Sequence, residues 1–232
     1  MLRGENLVLT YQDGESTIDA VHDISLTVAE HQFVGVLGPS GSGKSSLLYL
    51  LSGLRSATKG HVYFEDRCYD DMKTSERVAL RRRRFGFIFQ QHFLIDYLTA
   101  LENVLAAAPE QSDHSVERAT ELLSDLGLGH KTHRFPYQLS GGERQRVAVA
   151  RAMVNEPRVI FADEPTGLLD HSTGQRVMSL LMPYRKRGSL IVVTHNPEML
   201  SGADQIIHLR DGEIVDEVSS SREVTRRVET PR

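Results

Sequence analysis

Gly38-Pro39-Ser40-Gly41-Ser42-Gly43-Lys44-Ser45 fits the phosphate-binding pattern G-x-x-x-x-G-K-[S/T] and decides the reading of the chain. The apolar run Phe33-Val34-Gly35-Val36-Leu37 before it reads as a buried strand, and Ser46-Leu47-Leu48-Tyr49-Leu50-Leu51 after it reads as a helix. Glycines at 38, 41 and 43 let the backbone curl so that successive N–H groups point inward. The new helix adds its positive end, completing a nest for an anion. The pattern therefore predicts a bound nucleoside triphosphate, with Lys44 reaching its β and γ phosphates and the Ser45 hydroxyl on Mg²⁺.

With 232 residues the chain is long enough for one domain with a substantial core, or for one core carrying an insertion. A formal charge of −4 gives no global basic footprint, so nucleic acid is not the expected partner. Cys68 is the only cysteine, which excludes an intrachain disulfide and points to a reducing, cytoplasmic setting. No stretch approaches the roughly 18 to 20 apolar residues of a membrane span, so any membrane role comes through a partner. His130 and His133 have metal-like spacing, but no cysteine or acid cluster accompanies them.

Before the phosphate loop, Leu7 to Tyr11 and Ile24 to Val28 flank a Gln12-Asp13-Gly14 turn and predict a small antiparallel layer. Gly60 to Phe64 and Phe85 to Phe89 read as further strands, and a helix begins near Ser75. The four arginines Arg81 to Arg84, just before the second of these strands, read as a solvated face of that helix, with contact to acidic groups of a membrane subunit or anionic lipid heads as the alternative. Helical periods over 101–107, 116–126 and 143–153 predict a helical insertion at 94–156. Strand character returns at 159–162, 190–193 and 205–209, separated by a helix-length segment at 172–184, which argues a parallel sheet. The tail at 219–232 is polar, without apolar periodicity, and is expected to be mobile.

The strand at 159–162 runs into Asp163 and Glu164. An acid at such a strand end holds Mg²⁺, and a second beside it can orient and deprotonate the attacking water. Leu139-Ser140-Gly141-Gly142-Glu143-Arg144-Gln145-Arg146 opens a helix, with Ser140 and Glu143 spaced as a capping box. The paired glycines exceed what a cap needs and let backbone amides approach a second anion.

This last segment resembles the LSGGQ-type signature of ABC ATPases, with Glu143 where the signature has Gln, and the resemblance runs from Tyr11 to about Glu217. It implies an α/β P-loop NTPase (RecA-like) core with a parallel sheet, an N-terminal antiparallel β layer and an inserted helical subdomain. The implied division is 1–93 with 157–218 for core and β layer, 94–156 for the helical part and 219–232 for the tail. It implies ATP and Mg²⁺ as ligands, cradled by Gly38, Pro39, Ser40, Gly41, Ser42, Gly43, Lys44, Ser45 and Ser46, with Tyr11 stacked on adenine. Gln90 matches the glutamine that senses Mg²⁺ and the attacking water and borders the groove for a membrane subunit. His195 matches the histidine on the γ phosphate. Ser140, Gly141 and Gly142 would meet the ATP of a second copy in a homodimer, and Asp170 would couple the two sites. The sequence departs from the family where Leu168 replaces a common Asn and Asn196 a common Asp.

Arg84 to Gln90, Leu98 to Val104 and Ala162 to Gly167 look most like the MacB/LolD group, which serves lipoprotein release and macrolide, peptide or lipid export. That likeness implies a cytoplasmic ATPase, peripheral on the inner face of the membrane through an ABC permease-type subunit. An FtsE-like division ATPase or another regulatory or scaffolding ATPase is the alternative. The short stretch between Ser45 and Ser140 leaves no room for the long coiled coil of the DNA-repair members.

Overall fold

A computed structural model describes residues 1–14, 16–108, 112–167 and 169–219; Leu168 and the tail from 220 onward lie outside the described residues. Contacts divide the chain into two compact units, Met1–Lys73 with Ile191–Arg232, and Thr74–Leu190.

In the first unit β1 (Leu2–Asp13) and β2 (Ser16–Val28) form a long antiparallel hairpin. On the other side of β1 lies β4 (Lys59–Phe64), followed by the short β5 (Arg67–Cys68), giving the order β2-β1-β4-β5. The strand starts earlier than the apolar run Leu7 to Tyr11 suggests. Leu2 and Gly4 are buried at even positions, Leu7 and Leu9 at odd ones, and a register shift lies between them. Asn6, at φ 48°, marks the shift: one extra residue moves the alternation to the other parity and hides the strand from a simple period-two search.

The unit also contributes strands to a second sheet. Here β3 (Phe33–Leu37) runs parallel to β9 (Gln205–Arg210), β8 (Ser189–Thr194) lies on the far side of β3, and β10 (Glu213–Ser219) is antiparallel to β9. Phe33, Val34, Val36 and Ile191 to Val193 are buried as continuous runs, the signature of strands covered on both faces. The helix α1 (Lys44–Leu51) leaves the C-terminal end of β3. Ser219, expected to open a mobile tail, is instead the last residue of β10 and pairs with Gln205.

In the second unit α2 (Thr74–Arg84) leads into β6 (Phe85–Ile88), which runs parallel to β7 (Val159–Asp163). Between them come α3 (Ala100–Leu105), α4 (Asp113–Asp125) and α5 (Gly141–Met153), so the expected helical stretch 94–156 falls inside this unit. The helix α6 (His171–Leu181) ends in a 3₁₀ turn, Met182–Lys186. α5 is the centre of the unit, with Val147, Ala148, Val149 and Ala150 buried. It approaches β6 so closely that a Cβ on Gly86 would stand 2.2 Å from the Ala152 carbonyl oxygen. Phe161 of β7 packs edge-on to Phe85 and stacks on Phe87, with ring centroids 5.1 and 5.7 Å away. α2 has no buried residue, which agrees with the solvated reading of its arginines. Parallel pairing, an antiparallel layer and the strand-loop-helix turn make this the expected P-loop α/β fold.

Candidate nucleotide-binding site

The first unit holds the phosphate loop. Gly43 caps α1 at φ 95°, and its carbonyl accepts from Leu47 N at 2.9 Å, so the helix starts directly after the loop. A Cβ on Gly43 would meet the Ala20 carbonyl at 2.1 Å as well as a left-handed backbone, so only glycine fits. Gly41, at φ 82°, has open space around it, and the tip formed by Pro39, Ser40 and Gly41 is exposed. Lys44 is only 6% exposed, and its ammonium donates to the Gly38 and Pro39 carbonyls at 2.9 and 2.8 Å. Those bonds hold a buried cation inside the curl of the loop. The Ser42 hydroxyl is buried there without a protein partner, a polar atom left over for a ligand.

Around the loop, Ser45 and Ser46 are half-buried, and the Tyr11 hydroxyl lies 3.2 Å from Ser46 Oγ. The Arg55 guanidinium stands 5.5 Å over the Tyr11 ring. His195 follows β8 immediately and is exposed. Asn196 caps the 3₁₀ turn Pro197–Leu200, its side-chain oxygen accepting from Glu198 N at 3.0 Å. Asp could fill the same capping role, so this departure preserves local structure.

The second unit gathers the other candidates. β7 ends in buried Asp163, and Glu164 turns the chain at φ 45°, a left-handed conformation uncommon for a non-glycine residue. Such strain concentrates at functional sites. Gly167 N closes the turn on the Glu164 carbonyl at 3.0 Å. Gln90, exposed just past β6, lies over this turn: a Cβ on Gly167 would stand 3.4 Å from Gln90 Nε2.

Ser140 caps α5 in a full capping box, with Oγ accepting from Glu143 N at 3.3 Å and Glu143 accepting from Ser140 N at 2.9 Å. The Lys131 ammonium donates to the other Glu143 oxygen at 2.5 Å; that bond first, and the Ser140 amide second, pull the Glu143 carboxyl down to about 2. Glu143 thus serves the helix end, where its charge also suits the helix dipole. A Cβ on Gly141 would meet nothing within 4 Å. The fold of this chain does not require glycine there. Asp170 caps α6, accepting from the hydroxyls of Thr173 and Ser172 at 2.6 and 2.7 Å and from Thr173 N at 3.0 Å. Those bonds, the Thr173 hydroxyl above all, hold its carboxyl well below the usual range.

Three polar residues that sequence reasoning left out position these loops. Gln145, 2% exposed on α5, donates to the Pro165 carbonyl at 2.7 Å and so ties the signature helix to the turn after Glu164. Arg151 donates to the carbonyls of Phe93 and His92 at 2.6 and 2.7 Å. Asn103 makes four bonds to the backbone of Ile95, Leu98 and Thr99. A polar residue on the apolar side of a helix was the available signal, but its partner is invisible in the chain order. Replacing Gln145 with Ala should cost about 1–3 kcal/mol by leaving the Pro165 carbonyl unpaired beside a cavity. An unchanged urea midpoint would show that the bond contributes nothing.

Residues 21–167 match the ABC transporter family. The chain is 47% identical over 220 residues to an ABC transporter ATP-binding protein of Methanocaldococcus jannaschii, covering 93% of this chain and 98% of that one. It is 43% identical over 223 residues to the lipoprotein-releasing system ATP-binding protein LolD of Aquifex aeolicus, covering 94% and 98%. It is also 40% identical over 228 residues to the macrolide export ATP-binding/permease protein MacB of Neisseria meningitidis, matching 97% of this chain but 35% of that longer protein. A bacterial ABC transporter cassette solved as a dimer superposes with a TM-score of 0.88 at 39% identity, covering 94% of this chain and 98% of that one. With its phosphate loop, strand-end acids and signature helix in place, the chain belongs to the ABC transporter family as an ATPase of the MacB/LolD group.

Proposed function

We propose that two copies of this chain bind ATP with Mg²⁺ and hydrolyse it to move a separate permease-type membrane subunit at the inner face of the cell membrane. The observation that carries this is Lys44, buried in the glycine loop with its ammonium already turned inward. Lys44 and the loop amides of residues 38–46 bind the phosphates, and Tyr11 faces the adenine. Ser45, Asp163 and Gln90 all offer oxygen donors, the ligand type Mg²⁺ takes; the ion would neutralise charge on the phosphates. Glu164 accepts a proton as water attacks the γ phosphorus and the bond to the bridging oxygen breaks, releasing ADP and phosphate. His195 donates to the γ phosphate. Gly141 and Gly142 bring α5 amides to the partner's γ phosphate, and Asp170 links the two sites. The open space at Gly141 supports this, since packing within its own chain does not require the glycine. The relatives are named for lipoprotein release and macrolide export, and the second joins an ATP-binding part to a permease in one protein. Export or release of a lipoprotein, lipid, peptide or drug is the class of work proposed.

No helix among the described residues is long and apolar enough to cross a membrane. The docking surface we propose is a groove of about 460 Å³ in the second unit, lined by Phe87, Phe89, Phe93 and Val78 together with the polar Arg81, Arg82, Arg151 and Asn155. Phe93 is 62% exposed, edge-on to Phe89 at 5.5 Å, the form an aromatic anchor takes before its partner arrives. Burial, reinforced by Arg144 and Arg151, holds the neighbouring His92 imidazole below its ordinary pKa and so uncharged at neutral pH. Phe93→Asp should abolish recruitment of the protein to membranes containing its permease while leaving it folded. Asp tolerates the φ of 45° at this position better than Phe does. Undiminished recruitment in a flotation assay would remove Phe93 from the interface.

A further inference from the structure

The β layer of the first unit carries a cluster that nucleotide chemistry does not use. β4 and β5 pair with Tyr63 opposite Cys68 and Phe64 opposite Arg67, and Tyr69 N donates to the Val62 carbonyl at 2.9 Å beyond them. Strand alternation then sets His61 opposite Asp70 on the same face as Cys68. His61 Nδ1 lies 2.7 Å from Asp70 Oδ2, and Cys68 Sγ lies 3.8 Å from that same oxygen. All three donor atoms fall within 4.8 Å of one another, with His61 and Asp70 exposed and Cys68 half-buried. On the other side of β4, Glu5 stands opposite His61 but is ion-paired with Arg3, whose guanidinium covers the Tyr63 ring at 4.3 Å.

We propose that His61, Cys68 and Asp70 bind a borderline divalent cation, Zn²⁺ above all, through imidazole nitrogen, thiolate sulfur and carboxylate oxygen, with water as the fourth ligand. Tetrahedral zinc with bonds of about 2.0–2.3 Å sets its ligand atoms roughly 3.3–3.8 Å apart. The cluster reaches that spacing if the His61–Asp70 contact opens by roughly 0.6 Å and the imidazole and Cys68 sulfur approach by at most about 1.3 Å, which rotation of the exposed His61 and Asp70 side chains allows. Sulfur and imidazole donors select zinc over the magnesium that accompanies nucleotide, which prefers oxygen. Binding releases the Cys68 proton to solvent. The ion would bridge two strands joined by a tight turn at Glu65 and Asp66, at φ 49° and 64°, and would brace that corner of the β layer.

The single cysteine makes the test specific. Co²⁺ added to the full chain without nucleotide should give an intense near-ultraviolet sulfur-to-cobalt band and strong tetrahedral visible bands at one equivalent. Zn²⁺ should displace both. Oxygen-only sites give no sulfur band, so any such band reports Cys68. It should vanish in Cys68→Ser, and Co²⁺ affinity should fall roughly tenfold or more in His61→Ala and Asp70→Asn. ATPase activity of Cys68→Ser should match the parent. The absence of a sulfur band, or one unaltered by both His61→Ala and Asp70→Asn, would overturn the proposal and leave an exposed ion pair beside a bystander thiol.

Discussion

The Glu164→Gln protein should bind ATP as the parent does and hydrolyse it roughly 10²-fold or more slowly, a loss of about 2.7 kcal/mol or more in transition-state stabilisation. Gln keeps the length and shape of the side chain and removes only the proton acceptor. The backbone accepts the change too, because Glu164 already holds a φ of 45° and Gln bears that strain as another non-glycine residue. The turn closed by Gly167 N and anchored by Gln145 uses backbone carbonyls of Glu164 and Pro165, which the substitution leaves intact. A fall in turnover with unchanged nucleotide affinity therefore reads on the carboxylate alone. Phosphate release at saturating ATP and Mg²⁺, beside equilibrium ATP binding, is the measurement. Near-normal turnover would take Glu164 out of the chemistry.

What the sequence discloses here depends on whether a feature is local. The phosphate loop is legible because its glycines, lysine and flanking apolar runs are contiguous, and β3, β7 and β8 are legible because strands covered on both faces are apolar throughout. β10 escapes notice because it is largely exposed and carries Glu213, Asp216 and Glu217, charges that suit a sheet edge and mimic a loop. The first half of β1 escapes because the shift at Asn6 breaks its alternation. Glycines look alike in a sequence and differ in space. Gly43 is required by the Ala20 carbonyl, whereas Gly141 faces open space and points to something outside its own fold. Gln145, Arg151 and the His61–Cys68–Asp70 group were not legible as partners, since each acquires its meaning from a neighbour set by strand pairing or helix packing. For Tyr11, Asp170 and His195 the local pattern offers a strand tyrosine, a helix cap and a histidine after a strand, and only the family resemblance suggested more.

In the proposed dimer each ATP is completed by two chains, the phosphate loop of one and the Ser140-Gly141-Gly142 helix end of the other. One phosphate loop leaves part of the γ phosphate open, and a second helix N-terminus can fill its donor shell. Lys44→Ala and Gly141→Asp should each be nearly inactive alone, and a Cβ at 141 meets nothing within 4 Å in its own chain. The direct measurement is the ATPase rate of two covalently linked dimers carrying the same pair of substitutions in different arrangements. With Lys44→Ala in one half and Gly141→Asp in the other, one site is doubly damaged and one is intact, so substantial activity is expected. With both substitutions in one half and the other half unaltered, each site carries one defect, so activity should be nearly absent. The reverse pattern, an active dimer only when one half is wholly unaltered, would show a site complete within a single chain and would contradict the account.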